Sequence, residues 1–181
     1  GWAKSADIEV IRCRNYTHST RYQLPIAPSP NLPTQHSIYL YPSLCLFEGT
    51  VVSVGRGTDA PFEIYGHPDM EAREFSFVPQ SVAAASKPPH MGVRCYGEDL
   101  RGKSDEEIWR EGVNLHYVID AYRDLAMGDE FFKPMFEKVV GVAWVREMIK
   151  EGYTAEQIRE RWAEDVEKYK ILRRKYLIYN E

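Results

Sequence analysis

Arg56 stands between Gly55 and Gly57, Thr58 follows it, and Glu48 lies eight residues earlier behind the apolar run Leu44-Cys45-Leu46-Phe47. Glycine on both sides removes bulk and permits unusual backbone angles, so a ligand can come close while the guanidinium offers a planar fork to a carboxylate or phosphate. That makes Arg56 the best candidate for a ligand contact. The same spacing also allows an internal pair with Glu48 or Glu63 that fixes a turn. The two roles are compatible, because a positioned arginine often needs a carboxylate to orient it. Glu48, set between an apolar run and Gly49-Thr50, is placed where desolvation raises a carboxyl pKa and yields a useful acid or base. Carboxylate-driven glycoside hydrolysis generally takes two such groups, or one with help from the substrate. Asp59 and Glu63 are the candidate second members.

Asn31 is a further candidate. Pro25, Pro28, Pro30 and Pro33 stiffen the chain around it toward extended polyproline geometry, so its amide is expected to be held in place. It is then fit either to bind a sugar hydroxyl or acetamido group or to complete a turn against its own backbone. The stretch contains PxxP, but it lacks a flanking basic residue and runs into an apolar segment, unlike a signalling peptide. Metal chemistry is set aside: His18, His36, His67, His90 and His116 are dispersed, without HExxH or Cys/His ligand spacing, and His67-Pro68-Asp69 reads as a turn. Gly55-Arg56-Gly57-Thr58 lacks the ending and glycine spacing of a phosphate loop, and no GxSxG elbow supports a serine nucleophile. No cofactor is expected.

These residues need a scaffold, and 181 residues with 44% hydrophobic content can bury a sizeable core. A net charge of −4 argues against nucleic acid as a partner, since phosphate neutralisation needs a basic excess on at least one face. The basic concentration from Lys168 to Lys175 is interrupted by apolar residues and reads as the solvated face of a helix. Cys13, Cys45 and Cys95 form no CxxC pair and their number is odd; no disulfide framework is implied, and each is expected to be a small buried hydrophobe. No apolar run approaches the ~20 residues needed to span a bilayer. The opening Gly1-Trp2, without methionine, suggests a fragment or a processed product.

Composition shifts near residue 104. Before it, Ile8 to Cys13, Leu46 to Val54, Phe62 to Tyr65, Phe75 to Val78 and Gly92 to Tyr96 read as short strands between turn formers. After it the chain reads as helices. Ser104-Asp105-Glu106-Glu107 has the form of a capping box, and Ile108, Leu115, Val118, Ile119, Tyr122 and Leu125 follow at helical steps, with Gly112 as a bend or break. A shorter helix covers Val142 to Lys150, with Gly152 just past its end. Thr154 and Gln157 open the last helix, whose stripe of Ile158, Trp162, Val166, Tyr169, Leu172 and Tyr176 is expected to pack on the core.

Pro28-Ser-Pro-Asn-Leu-Pro-Thr34, Tyr41-Pro42, Cys45-Leu46-Phe47-Glu48-Gly49-Thr50, Ser53-Val-Gly-Arg-Gly-Thr58, Pro61-Phe62-Glu63 and Gly66-His-Pro68 form an ordered string. It resembles the C-terminal half of the bacterial exo-β-N-acetylmuramidases related to NamZ, a family long catalogued as a domain of unknown function. Val140-Gly141, Ile149 to Gly152, the helix around Trp162 and the closing Arg173-Arg174-Lys175-Tyr176-Leu177-Ile178-Tyr179 continue the likeness to the end of the chain. Two positions depart from the family pattern: His67 replaces a small residue, and Asp69 stands where a tryptophan often follows Pro68.

The resemblance implies an α+β domain, a small mainly antiparallel sheet followed by packed C-terminal helices, with residues 1–181 forming the single C-terminal domain of a two-domain protein. It implies an upstream Rossmann-like domain that carries the catalytic glutamate, a cleft between the two, and release of N-acetylmuramic acid from peptidoglycan fragments in the periplasm or outside the cell. Muramic acid carries a lactyl carboxylate, for which Arg56 is a suitable partner. Asn31 and Thr58 are then nearby polar contacts and Glu48 orients Arg56 or the sugar, with direct catalysis by Glu48 as a lesser role. The alternative is a non-catalytic module that binds cell-wall sugar or stabilises a neighbouring domain. An isolated chain is expected to be inactive.

Overall fold

A computed structural model describes residues 6–179. They divide into a larger unit, Leu24–Arg161, and a smaller one formed by the described residues 6–23 and 162–179.

The larger unit is built on a three-stranded antiparallel sheet of β1 (Ile64–His67), β2 (Phe75–Phe77) and β3 (Cys95–Asp99) in the order β1-β3-β2. The β1–β3 pairing sets Gly66 opposite Gly97. A Cβ on Gly97 would lie 1.9 Å from the Tyr65 carbonyl oxygen, so the two backbones approach closely only because no side chain intervenes. Three expected strands appear with shifted ends: the first begins at Ile64 because Phe62 takes φ +59°, outside the extended region.

Two expected strands are absent. Ile8 to Cys13 is irregular, and Ile8, Val10 and Ile11 are exposed; alternating apolar residues need a neighbouring strand, and none pairs with them among the described residues. Leu46 to Val54 instead begins as a 3-10 turn, Cys45–Gly49, and then makes single bridges from Thr50 to Phe132 and from Ser53 to Gly66. Gly49 explains the tight entry, because a Cβ there would sit 2.4 Å from the Phe136 Cα.

Ahead of that turn lies a helix the sequence did not announce, α1 (Gln35–Leu44). Thr34 caps it by accepting from the Ser37 amide at 2.9 Å, while Ser37 Oγ accepts from the Thr34 amide at 3.2 Å. Serine replaces the usual Glu or Gln of a capping box, and Pro42 sits in the last turn, so both customary signals are obscured. The proline stretch before it is not a continuous extended strand: it folds back through a Ser29–Leu32 bridge.

The helical half follows expectation more closely. Ser104 and Glu107 form the reciprocal cap of α2 (Asp105–Glu111), and Gly112, at φ +61°, ends it. The remaining apolar positions form α3 (His116–Leu125), which buries Val118, Ile119, Ala121 and Leu125. After α4 (Phe136–Val140), α5 (Trp144–Lys150) turns Val145 and Ile149 inward and closes at Gly152, with φ +84°. Phe47 stacks on Tyr65 at 4.7 Å, and Phe131, Phe132 and Phe136 join Tyr122 in a second aromatic group.

The last helix, α6 (Ala155–Arg173), is capped by Thr154 and Gln157 as expected. Its stripe is not core. Ile158 is fully buried, but Val166, Tyr169, Leu172 and Tyr176 are 41%, 62%, 57% and 69% exposed. Periodicity reports that one face is apolar; it does not report what lies against that face. Lys168 and Lys170 are solvated, pairing with Glu164 and Glu167. In the smaller unit, Tyr179 accepts a hydrogen bond from the Cys13 amide at 2.8 Å and meets Tyr16 edge to face. Cys13, Cys45 and Cys95 are free thiols, but only Cys95 is buried; Cys13, in the irregular segment, is exposed.

Candidate functional site

The loop carrying Arg56 is shaped by its two glycines. Gly55 and Gly57 take φ +74° and +85°, and neither has room for a side chain: a Cβ on Gly55 would strike Ile64 and the Ala60 carbonyl, and one on Gly57 would come within 2.5 Å of both the Gln80 carbonyl oxygen and Pro88. Thr58 closes the turn, donating from Oγ1 to the Gly55 carbonyl at 2.7 Å and accepting from the Ala60 amide at 3.1 Å. Arg56 is therefore carried on a backbone pinned from both sides.

Glu48 comes from the 3-10 turn Cys45–Gly49 and meets Arg56 there. Arg56 Nη2 lies 2.5 Å from Glu48 Oε1, with each side chain 31% exposed. The guanidinium carbon sits 5.1 Å from the centre of the Phe62 ring, and Tyr41 packs on that ring at 5.1 Å. The structure thus realises the Glu48 form of the internal pair, not the Glu63 form, and leaves about a third of the guanidinium side chain open. A charge-assisted contact on one side and a ring on another restrict its orientation before any ligand arrives.

The surroundings are tuned against other chemistry. Burial, reinforced by Glu48, pushes the Cys45 thiol up to about 11, so it stays protonated and is a poor nucleophile at neutral pH. Burial likewise raises Tyr41, with Glu48 and Cys45 adding to the shift and Arg56 opposing it. Glu63 is buried at 8% exposure and accepts a hydrogen bond from Thr34, while Asp59 is exposed.

Asn31 is held, as expected, but by distant chain: its amide nitrogen donates to the Ala84 carbonyl at 3.1 Å and its backbone N–H to Ser29 Oγ at 3.2 Å. Glu48, Arg56 and Thr58 share one loop cluster, and Asn31 ties the proline segment to the loop around Ala84.

A second polar group was not legible as a unit. The ring of His67 lies 4.6 Å from that of His90, edge to face. His90 Nε2 donates to the Val51 carbonyl at 2.7 Å, and His67 Nδ1 accepts from the Asp69 amide at 3.2 Å, which makes His67-Pro68-Asp69 the expected turn. Burial, then the neighbouring His90, holds His67 below its ordinary pKa, and burial does the same to Lys133. His67 and His90 are separated by 23 positions in sequence, and no local spacing announces their meeting. Arg73 is a further structural cation, bonding Glu98 on β3 and Asp124 on α3 and so tying sheet to helix.

Residues 39–179 match the family model described as exo-beta-N-acetylmuramidase NamZ, C-terminal. The chain is 33% identical over 191 residues to the peptidoglycan beta-N-acetylmuramidase NamZ of Bacillus subtilis (strain 168), covering 96% of this chain and 46% of that protein. A crystal structure of a DUF1343 family protein from Bacteroides fragilis NCTC 9343 superimposes with a TM-score of 0.95 at 55% identity, over 97% of this chain and 50% of the other. A second DUF1343 family structure from the same organism shares the fold at a TM-score of 0.56 and 22% identity, over 87% of this chain and 46% of the other. The chain spans about half the length of the relatives it matches.

Proposed function

The chain belongs to the family of NamZ C-terminal domains, and on that premise we propose that it forms one wall of the substrate cleft of a two-domain exo-β-N-acetylmuramidase acting on peptidoglycan fragments in the periplasm or outside the cell. A Rossmann-like domain of the same polypeptide supplies the opposite wall and the catalytic glutamate. Arg56 binds the lactyl carboxylate of the muramic acid residue, Glu48 fixes the direction of the guanidinium, and Thr58 and Asn31 line the approach. The reading rests on one observation: Arg56 is oriented by Glu48 at 2.5 Å on a glycine-pinned loop, yet a third of its side chain remains open.

The test is titration of this chain with N-acetylmuramic acid and, separately, with N-acetylglucosamine, which lacks the lactyl group. Arg56→Ala should weaken the muramic acid complex roughly tenfold or more, the equivalent of about 1.5–3 kcal/mol for a hydrogen bond to a charged group, and leave the weaker glucosamine affinity unchanged. Equal losses for both sugars, or none, would refute the carboxylate assignment.

The engagement of Glu48 by Arg56 and the burial of Glu63 favour a second reading, in which the chain holds cell-wall sugar or steadies its neighbour without serving chemistry. Under that reading Glu48→Gln and Arg56→Ala in the longer hydrolase change binding or stability while the rate at saturation stays intact.

A further inference from the structure

We propose that Tyr41 is a stacking platform beside Arg56, a binding residue that takes the apolar face of a pyranose ring while the guanidinium takes the carboxylate attached to that ring. This rests on the muramic acid reading above and extends it to the part of the sugar that Arg56 does not touch.

Tyr41 stands in the last turn of α1 and is 38% exposed. A lone exposed tyrosine is ordinary. This one shares its support with the open arginine. The Tyr41 ring centre and the Arg56 guanidinium carbon each lie 5.1 Å from the centre of the Phe62 ring, so they are at most about 10 Å apart over one buried floor. Burial and then Glu48 raise the Tyr41 phenol, with Arg56 opposing, so the hydroxyl stays protonated at neutral pH within reach of both charges. It bonds to no other side chain or carbonyl among the described residues and is left to donate to a ligand.

Both rings beside the guanidinium are held against a local preference. Phe62, only 1% exposed, takes φ +59°, a left-handed conformation that residues with side chains rarely adopt. Tyr41 stays helical although Pro42 follows it, and the residue before a proline is disfavoured in that region. Disfavoured backbone persists where the surroundings over-determine it, and such positions gather at ligand sites.

The chemistry selects the ligand class. A pyranose of the gluco configuration presents axial C–H bonds on its faces and hydroxyls around its rim. A tyrosine ring matches such a face and brings a donor at its edge. Sites for small molecules combine an apolar, often aromatic surface with a few polar groups that fix orientation. Here Tyr41 is the surface, Arg56 the fixed cation and Glu48 the group that aims it. A sugar acid whose carboxylate is joined to the ring by a short ether engages both residues; the same sugar without the acid engages Tyr41 alone.

The test is fluorine NMR of the chain labelled with fluorotyrosine, in which the Tyr41 resonance is the one missing from Tyr41→Phe. It should shift on addition of N-acetylmuramic acid and also of N-acetylglucosamine. Tyr41→Ala should weaken both sugars by the same factor, roughly fivefold or more, whereas Tyr41→Trp, which keeps an aromatic face, should bind both. Arg56→Ala should weaken N-acetylmuramic acid alone. If that loss is seen while the Tyr41 resonance stays still and Tyr41→Ala binds as the unaltered chain does, the platform is overturned and the Arg56 assignment stands. If the resonance shifts with both sugars and Arg56→Ala changes neither affinity, the carboxylate assignment falls and the platform stands. No shift with either sugar at millimolar concentration overturns the platform.

Discussion

Gly57→Ala should cost the larger unit about 3 kcal/mol, although it adds one methyl group. Two costs combine. An L-residue at φ +85° is disfavoured by about 1–2 kcal/mol, and the new Cβ would stand 2.5 Å from the Gln80 carbonyl oxygen and 2.5 Å from Pro88 Cγ. Neither neighbour is a flexible side-chain end, so the backbone must shift, and overpacking of that kind costs about 1–3 kcal/mol. The smaller entropy of the unfolded chain returns about 0.4–1 kcal/mol. At roughly 2–4 °C per kcal/mol for a domain of this size, thermal unfolding should fall by about 6–12 °C. Two controls separate the causes. Gly141 has φ +85° in the left-handed helical region but open space, and Gly102 has open space with no positive φ, so alanine should cost about 1 kcal/mol at the first and within about 0.5 kcal/mol at the second. Circular-dichroism melts of the three variants read the series directly. If Gly57→Ala melts with Gly102→Ala, the loop is not pinned as described, and the preorganisation of Arg56 loses its basis.

A double-mutant cycle on Glu48→Gln and Arg56→Ala, followed by denaturant unfolding, should return a coupling of about 1 kcal/mol or less, as expected for a pair one-third exposed; a much larger value would mean the pair is chiefly a fold element. Thiol titration should modify Cys13 first, whereas Cys95, fully buried and with its thiol pushed up to about 11, should react only on unfolding. Burial lowers the His67 pKa, so the folded state binds fewer protons than the unfolded one as pH falls. Its contribution is complete above the ordinary histidine value and is lost below it, so His67→Gln should flatten the decline in stability between about pH 7 and pH 5; parallel wild-type and variant curves would contradict this. Ser104→Ala removes a reciprocal cap and should cost about 1 kcal/mol in the same melts.

The helical half was legible because its signals are local. Ser104 with Glu107, Thr154 with Gln157, and Gly152 each act within four residues, and the structure uses each as read. α1 escaped notice because its capping box uses Ser37 and its last turn contains Pro42. Leu46 to Val54 misled because a buried 3-10 turn and a buried strand carry the same apolar residues. In the candidate site, the glycines around Arg56 were legible, but spacing left Glu48 and Glu63 both open as its partner and the structure selects Glu48; His67 and His90 meet only through tertiary contacts. The α6 stripe was identified by period, and its exposure could not be, since sequence does not say which face finds a neighbour within the same chain.

The order β1-β3-β2 bears on how the sheet comes into being. β1 and β2 are adjacent along the chain but never touch as strands, so no hairpin can nucleate between them. Both wait for Cys95–Asp99, and even the shortest closure, Phe77 with Cys95, must close a loop of 17 intervening residues before any ladder bond is made. Loop length adds little to that cost, about 0.6 kcal/mol per doubling, but the cost falls ahead of the gain. Changes within β3 should therefore alter the rate of folding more than the rate of unfolding. A ribosome that has released the chain only as far as Arg94 has delivered two strands and no sheet.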